Sequence, residues 1–491
     1  MIIHLVDEPD HLREEDADRL TYIRSDIGNA ERFRDDVAGT AIYVPSLGWF
    51  TWTGTHWRAD DTEQIVQLAS QSMRAQMQQA IGNLRDPHRT EAIRFALKSE
   101  TSPRIRGMLE LARSDPKIVV TSDKLDAHSM LLNVANGTID LTTGTLRGHR
   151  REDYLTHFVN VPYDPDAAAP RFQRFLREIL RAELDGRFDQ TETDSLIAFV
   201  QRLAGYLLTG STQEQVVIIF YGSGSNGKDV LLTILRATVG DLARVLEVRE
   251  LLFNKFDSRS PASTSDHIAR LRDARIVTAE EVDAGRRFDE AHLKNLTGGA
   301  PITARSPYKT GFEYVPQFKF VITCNHLPHV HGTDHGIWRR LKCIPFNVQI
   351  ADDKQDKTLA QTIIATEMPG VLAWAVEGCK EWRSKGLGTC NAVEIETTEY
   401  RQTEDVVGSF LADRCVLNPS IWTPIAMLHT EYVRWAADTG HNPPMSSNAL
   451  SDRLRDRPGL SYKRKHEGRG WQGVGMLFET KMAEKNTGRD A

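Results

Sequence analysis

The sequence predicts a multidomain α/β protein built around one parallel sheet. Three observations carry this reading. The apolar run 216–221 leads into the Gly-rich loop 222–227 and then into an apolar-periodic stretch, Val230, Leu231, Ile234 and Leu235. Two more apolar runs, 275–279 and 318–324, follow with charged and Gly-rich loops between them, the alternation expected of a parallel sheet with helices on its faces. The chain has 491 residues, enough for roughly three domains at ~150 residues each.

Composition narrows the class. Apolar residues make up 40% and charged residues 26%, which excludes wholesale disorder, collagen and a disulfide scaffold. The five cysteines are odd in number and form no C-x-x-C pair, so reduced thiols and a cytoplasmic protein (host cytoplasm if phage-encoded) are expected. No run approaches the ~18 apolar residues of a membrane span, and the acidic start is not a secretory signal. The net charge is −6. A small DNA-binding module is usually basic, so any nucleic-acid contact must be a local patch.

In chain order, residues 1–125 read as a mixed, mainly helical region with one hairpin signal. There the close-set Trp49, Trp52 and Trp57 could stack bases, but a small aromatic core under a hairpin is the better reading. Residues 126–210 begin with a second hairpin, its Asn136-Gly137 turn set between apolar runs. Asp140 is a lone carboxylate, so no pair of metal-binding acids points to a nucleotidyl transferase. Pro162, Pro165 and Pro170 mark a linker. Helical periodicity follows at Phe172, Phe175, Leu176 and Ile179, then from Leu196 to Leu207. Residues 211–350 hold the sheet, 351–400 a helical connector, 401–480 helices and a basic ribbon, and 481–491 a flexible tail.

The loop Gly222-Ser223-Gly224-Ser225-Asn226-Gly227-Lys228 has the spacing G-x-x-x-x-G-K of a phosphate-binding loop. Glycines let successive backbone N–H groups face a phosphate, the helix N-terminus adds a positive field, and Lys228 adds a point charge. The next position normally carries Ser or Thr, whose hydroxyl binds Mg²⁺; here it is Asp229, which can ligate Mg²⁺ but places a negative charge beside phosphate oxygens. Glu280 and Glu281 stand at the tip of the second apolar run. One would hold Mg²⁺ and one would polarise water, with Glu280 the better catalytic candidate. Asn325 ends the third run and is placed to orient water. Arg339 and Arg340, after a Gly turn, suit stabilisation of transition-state charge, in cis or from a neighbouring subunit.

Together GSGSNGKD, RIVTAEE, LKNLTGGAPITAR, FKFVITCNHLP and GIWRRLKCIPF resemble, in order and spacing, a superfamily 3 helicase of the phage/plasmid primase–helicase group, related to the poxvirus primase–helicase. Upstream, NVANGTIDL and HFVNVPYDPDA resemble the domain that precedes this helicase. The resemblance implies an AAA+-type ATPase that uses ATP and Mg²⁺, assembles as a ring, usually a hexamer, and translocates on single-stranded DNA. It implies that Lys228 is the Walker A lysine, Glu280 with Glu281 the Walker B acids, Asn325 the sensor, and Arg339 or Arg340 the arginine finger. The segment 294–305 matches a region that includes a channel hairpin, where Lys294, Arg305 and Lys309 offer phosphate partners.

A second basic cluster, with Arg457, Lys463, Arg464, Lys465 and Arg469, lies in the tail. Helices followed by this ribbon suggest a winged-helix-like module for forked or origin duplex DNA, the alternative being a solvated hairpin. The histidines 326, 329, 331 and 335 beside Cys324 have no defensible zinc spacing. Two functions stand. One is an ATP-driven, ring-forming replicative helicase of a phage or mobile element, working with a separate primase or polymerase. The other is an ATP-binding, DNA-associated initiator or scaffold that hydrolyses weakly, with Asp229 as the reason. A metabolic kinase lacks a substrate-pocket motif.

Overall fold

The computed structural model describes residues 22–84, 86–184, 187–253, 266–280, 285–305, 311–330, 335–440, 444–455 and 457–477. The first described elements are helix Asp26–Asp36 and an antiparallel meander, β1 (Ala41–Val44), β2 (Gly48–Trp52) and β3 (Trp57–Ala59). Helices Gln64–Asn83 and Ser102–Ala112 close over it around Phe33, Met73 and Met108. Trp57 is buried, its indole N–H donating to the Arg151 carbonyl at 2.8 Å. Trp49 stands edge-on to Phe33 and Tyr43. The tryptophans therefore build the small aromatic core expected from their spacing.

The second hairpin comprises β4 (Leu131–Val134) and β5 (Gly137–Asp140), followed by β6 (Thr145–Arg147). Asp140 accepts from the Thr142 N–H at 2.8 Å, a turn-capping role. Pro170, expected in a linker, opens helix Pro170–Ile179, where its missing N–H costs nothing. A short ribbon, β7 (Glu183–Leu184) and β8 (Arg187–Phe188), precedes helix Gln190–Leu208.

The central sheet follows: β9 (Val217–Tyr221), β10 (Ala243–Val245), β11 (Ile276–Glu280), then, after a small hairpin of β12 (Ile302–Ala304) and β13 (Phe312–Tyr314), β14 (Lys319–Cys324) and β15 (Leu341–Pro345). Its order is β10-β11-β14-β9-β15, with every neighbouring pair parallel. One buried cluster runs from Leu132 through Phe172, Phe199, Ile218 and Leu231 to Val371 and Val393. The segments 126–210 and 211–350, expected as separate units, thus share one core. The helices of the first lie on a face of the sheet of the second.

Helix Gln190–Leu208 crosses helix Met368–Lys385 with the two backbones in contact. A Cβ on Gly205 would lie 2.0 Å from the Cys379 nitrogen, and one on Gly378 would lie 2.0 Å from the Gln201 carbonyl oxygen. At the end of the first of these helices, two buried cations bind carbonyls. The Lys319 ammonium donates to Thr209 O, and the Arg275 guanidinium donates to Leu208 O and to Leu131 O.

Helix Asn391–Glu404 spans the 400/401 boundary expected between connector and tail. Beyond it lie helix Val406–Arg414, β16 (Cys415–Pro424), helices Ile425–Asp438 and Ser447–Arg455, β17 (Ser461–Lys465) and β18 (Gly468–Met476), the strands ordered β16-β18-β17. Phe410, Leu428, Trp435, Leu450 and Trp471 form a separate core. The expected helices and basic ribbon are both present; residues 481–491 lie outside the described residues. Among the described residues no single helix is long and apolar enough to cross a membrane, and only the pair Asp352–Thr366 and Met368–Lys385, bent by 78°, passes on length and composition.

The helix crossing yields a stability prediction. Gly378→Ala forces a methyl into backbone and should cost about 3 kcal/mol, at the upper end of overpacking. Gly107→Ala, in a helix with nothing within 4 Å of the added carbon, should stabilise by up to about 1 kcal/mol. Urea midpoints of the two variants check both signs.

Candidate functional site

The loop 222–227 joins the carboxyl end of β9 to helix Lys228–Ala237, the sheet edge outside which ligands bind in open parallel sheets. Ser225 adopts φ 48° and Gly227 φ 83°. At Gly227 the need for glycine is double: besides the left-handed backbone, a Cβ would meet Ile179 Cγ2 at 2.5 Å. Asn226 is buried, its side-chain N–H donating to the Phe346 carbonyl at 3.1 Å. That bond pins the loop to the residue just after β15. Gly222, Ser223 and Gly224 form the loop's outer turn, with Gly224 N–H donating to Gly222 O at 3.0 Å.

Lys228 is buried, only 5% exposed. Its ammonium donates to Asn325 Oδ1 at 2.7 Å and to Gly222 O at 3.4 Å, leaving one of its three donors for a ligand. Asn325 follows Cys324, whose register partner is Tyr221, so the residue expected as a sensor stands beside the loop. Burial pushes the Cys324 thiol up to about 12; it stays neutral and does not compete for the lysine's charge. Glu280 ends β11 and pairs in register with Thr323. It lies two strands, about 10 Å, from β9 at the same edge, and is exposed, with Arg236 Nη1 3.9 Å away. Glu281 lies outside the described residues.

Asp229 is exposed in the first turn of its helix and lines a cleft of about 490 Å³. Arg171 and Arg174 line the same cleft from helix Pro170–Ile179, and Lys354 and Lys357 from the segment after β15. The floor is apolar: Phe175, Val230, Ile350 and Leu359. Four cations that sequence reasoning missed thus share the cleft with Asp229, alongside the carboxylates Glu178 and Asp356. For the two arginines the signal was the three-residue spacing of Arg171, Arg174 and Arg177 on an otherwise apolar-periodic helix. Chemically, the edge offers an anion cradle of backbone N–H groups and a lysine. Beside it lies a cleft with apolar and cationic lining that includes Asp229, and Glu280 stands two strands away on the same edge.

The two arginines are elsewhere. Arg340 precedes Leu341, the register partner of Val217 at the start of β9. Five residues of strand, about 16 Å, separate that edge from the loop. Neither arginine reaches the loop of its own chain, which corrects the cis alternative. The pair also divides. Arg340 is 8% exposed and donates to Gly336 O at 2.7 Å and Thr297 Oγ1 at 3.2 Å. Arg339 is exposed, with Gln215 Oε1 at 3.2 Å.

Lys294 is half-buried on helix Glu290–Thr297, and Arg305 is exposed just beyond β12. The hairpin of β12 and β13 precedes β14, on the arginines' side of the sheet. Lys309 falls outside the described residues. In the tail, all of β17 is exposed. Arg464 faces Arg469 across the ribbon, a like-charge pair that is unfavourable without a counter-anion. The Lys465 ammonium sits 5.2 Å from the Trp422 ring centroid. Arg457, grouped with these cations in the sequence, instead binds Asp405. Among the described residues no three His, Cys, Asp or Glu side chains form a metal cluster; His331 lies outside the described residues.

Comparison with known proteins adds relatives. A family described as "D5 N terminal like" matches residues 30–181. A family of unknown function (DUF5906) matches residues 220–340. A provisionally named helicase of Acanthamoeba polyphaga mimivirus is 30% identical over 60% of this chain and 31% of its own length. A provisionally named primase of African swine fever virus is 23% identical over 63% of this chain and 34% of its own. The chain is related to the helicases and primases of large DNA viruses that carry these provisional names. A provisionally named helicase of Invertebrate iridescent virus 6 is 24% identical over 49% of this chain and 24% of its own length. The chain therefore spans about a third or less of these curated relatives. Among solved structures, the apo NrS-1 C terminal region covers 65% of this chain and 80% of its own, at 15% identity and a TM-score of 0.41.

Three substitutions test the site. Lys228→Ala removes a charge-assisted contact and should weaken nucleotide binding by about tenfold or more. Glu280→Gln should bind nucleotide and lose turnover; normal hydrolysis would pass the catalytic role to Glu281. Asp229→Ser should tighten Mg-nucleotide binding, by much less than the about 4 kcal/mol of two like charges ~4 Å apart at an effective dielectric of ~20, because Asp229 is solvent-exposed and Mg²⁺ between the charges offsets much of the repulsion. Calorimetric titration and steady-state turnover across a Mg²⁺ series read all three.

Proposed function

We propose that this chain is the motor of an ATP-driven, ring-forming replicative DNA helicase, a superfamily 3 AAA+-type P-loop ATPase with a winged-helix-like tail. The observation that carries the reading is the bond between Lys228 and Asn325 beside the loop, with Glu280 on the same sheet edge and an exposed arginine on the other. ATP with Mg²⁺ would supply the phosphoanhydride whose cleavage drives the motor. The loop N–H groups and Lys228 would hold its phosphates, Asp229 with whichever of Glu280 and Glu281 is not the base would hold the metal, and the apolar cleft would hold the nucleoside. Glu280 takes a proton from the attacking water while Asn325 orients it. Arg339 answers the charge that develops at a neighbouring subunit's site. Arg340 is a positioning residue for that arginine.

Single-stranded DNA is the proposed track, contacted by Lys294, Arg305 and Lys309. The tail, through Arg464 and Lys465, takes forked or origin duplex. The second reading, an initiator or scaffold that binds ATP and turns it over slowly, is favoured only by Asp229. Single-strand-stimulated ATPase measured alongside strand displacement separates the two. Stimulated turnover with displacement supports the motor; binding without either supports the scaffold.

Two outcomes follow from the geometry. Mixing Lys228→Ala subunits with Arg339→Ala subunits should restore part of the ATPase, from sites that pair an intact loop with an intact arginine. Arg340→Ala should instead lower the melting temperature. No recovery at any ratio, in rings shown to mix, removes the trans role. Replacing Arg464 and Lys465 together should weaken duplex binding and reduce the slope of log K against log salt by about 2, one unit per lost phosphate contact. Fluorescence anisotropy over a salt series reads that slope.

A further inference from the structure

Asn325 begins a segment that runs to Val330 under the last turns of helix Asn391–Glu404. The Tyr400 hydroxyl donates to Pro328 O. The Glu404 carboxylate accepts from the Val330 N–H at 3.0 Å and faces His329 Nδ1 at 2.9 Å. Both side chains are largely buried, Tyr400 at 3% exposure and the Glu404 side chain at 11%. The Tyr400 ring also stands edge-on to Trp338, centroids 5.1 Å apart, next to Arg339. One helix end thus grips both the segment that bears the sensor asparagine and the residue before the exposed arginine.

The next residue turns the other way. Asp405 caps helix Val406–Arg414, accepting from Gly408 N–H at 2.9 Å, and pairs with Arg457. Arg457 sits between helix Ser447–Arg455 and β17, the exposed cationic strand. A continuous run of contacts therefore joins Lys228 to the ribbon: Lys228 to Asn325, the segment 328–330 to Tyr400 and Glu404, and Asp405 to Arg457. A phosphate oxygen that takes the ammonium's third donor would share its single charge with the Asn325 and Gly222 oxygens, so nucleotide loading alters the bond between Lys228 and Asn325. Coupling needs such a differential contact at one site and a connected element reaching the other.

We infer that nucleotide loading at Lys228 and DNA binding on the ribbon of β17 and β18 are energetically coupled through Tyr400, Glu404 and Asp405. The inference rests on the function proposed above. It adds that the acidic pair Glu404-Asp405 is the joint between motor and tail: one carboxylate holds the sensor segment and the next holds the DNA-binding unit. Linkage makes the effect reciprocal, so DNA on the ribbon changes nucleotide affinity by the same factor.

The test uses the full chain, a non-hydrolysable ATP analogue with Mg²⁺, and a short labelled duplex. Duplex affinity is measured with and without analogue, and analogue affinity with and without duplex. The unmodified chain should show a coupling factor of about fivefold or more, equal in both directions. Glu404→Ala and Asp405→Asn should each reduce it below about twofold, while the two separate affinities move less than about threefold; Asn keeps the helix cap and loses the charge facing Arg457. If Glu404→Ala fails to fold, Glu404→Gln keeps an acceptor for the Val330 N–H and removes the charge facing His329, and a fall in coupling there supports the joint. A factor that persists in both variants, or equals one in the unmodified chain while both ligands bind, overturns the inference and leaves the proposed function standing. A chain that binds neither ligand overturns both.

Discussion

The end of helix Gln190–Leu208 is where the architecture is decided. Its last carbonyls are orphan acceptors, and they are met by Arg275 and Lys319, the residues at the starts of β11 and β14. Both cations are buried. Burial, with Arg275 nearby, holds the Lys319 ammonium well below its ordinary range, and burial brings Arg275 down to about 10. Charge-assisted bonds at the negative end of the helix offset part of that cost. A β-strand is a ruler of about 3.3 Å per residue. With the starts of these two strands anchored, the arrival points of Glu280 and Asn325 at the far edge are set as well. The backbone contact at Gly205 and Gly378 then holds the same helix against the connector.

Much of the central sheet could be read from the chain because its inner strands are covered on both faces and appear as unbroken apolar runs. The short edge strand β10 carries no such signature. The loop, Lys228, Glu280 and Asn325 were legible as a linear pattern. What the pattern could not separate was Arg339 from Arg340. Adjacent residues of one type differ only in direction, and Thr297 and Gly336 decide which is buried. The cations that share the cleft with Asp229 were illegible for a related reason: they come from about 55 residues before it and about 125 after it. The boundary between 126–210 and 211–350 was illegible because sharing a core is a property of packing, not of composition. Arg457 read as one more cation in a basic tail, and only the fold shows it bound to Asp405.

The relatives fit this pattern of legibility. The matched stretches, 30–181 and 220–340, cover the N-terminal region, its packing helices and most of the central sheet. The separate core after helix Asn391–Glu404 lies outside both. The proposed DNA-binding role of the tail rests on its own residues: an exposed strand with cations on it and a like-charge pair set face to face.

The opposite placement of Lys228 and Arg339 has a consequence for assembly. If the loop on one edge of the sheet is completed by an arginine from the other edge, every subunit has a receiving side and a giving side. Two subunits related by a two-fold axis would bring like sides together and complete neither site. Only head-to-tail association satisfies all of them, and such a contact either closes into a cyclic ring or extends without end. The sheet would thus give the assembly a direction of travel around its own circumference before any DNA entered it.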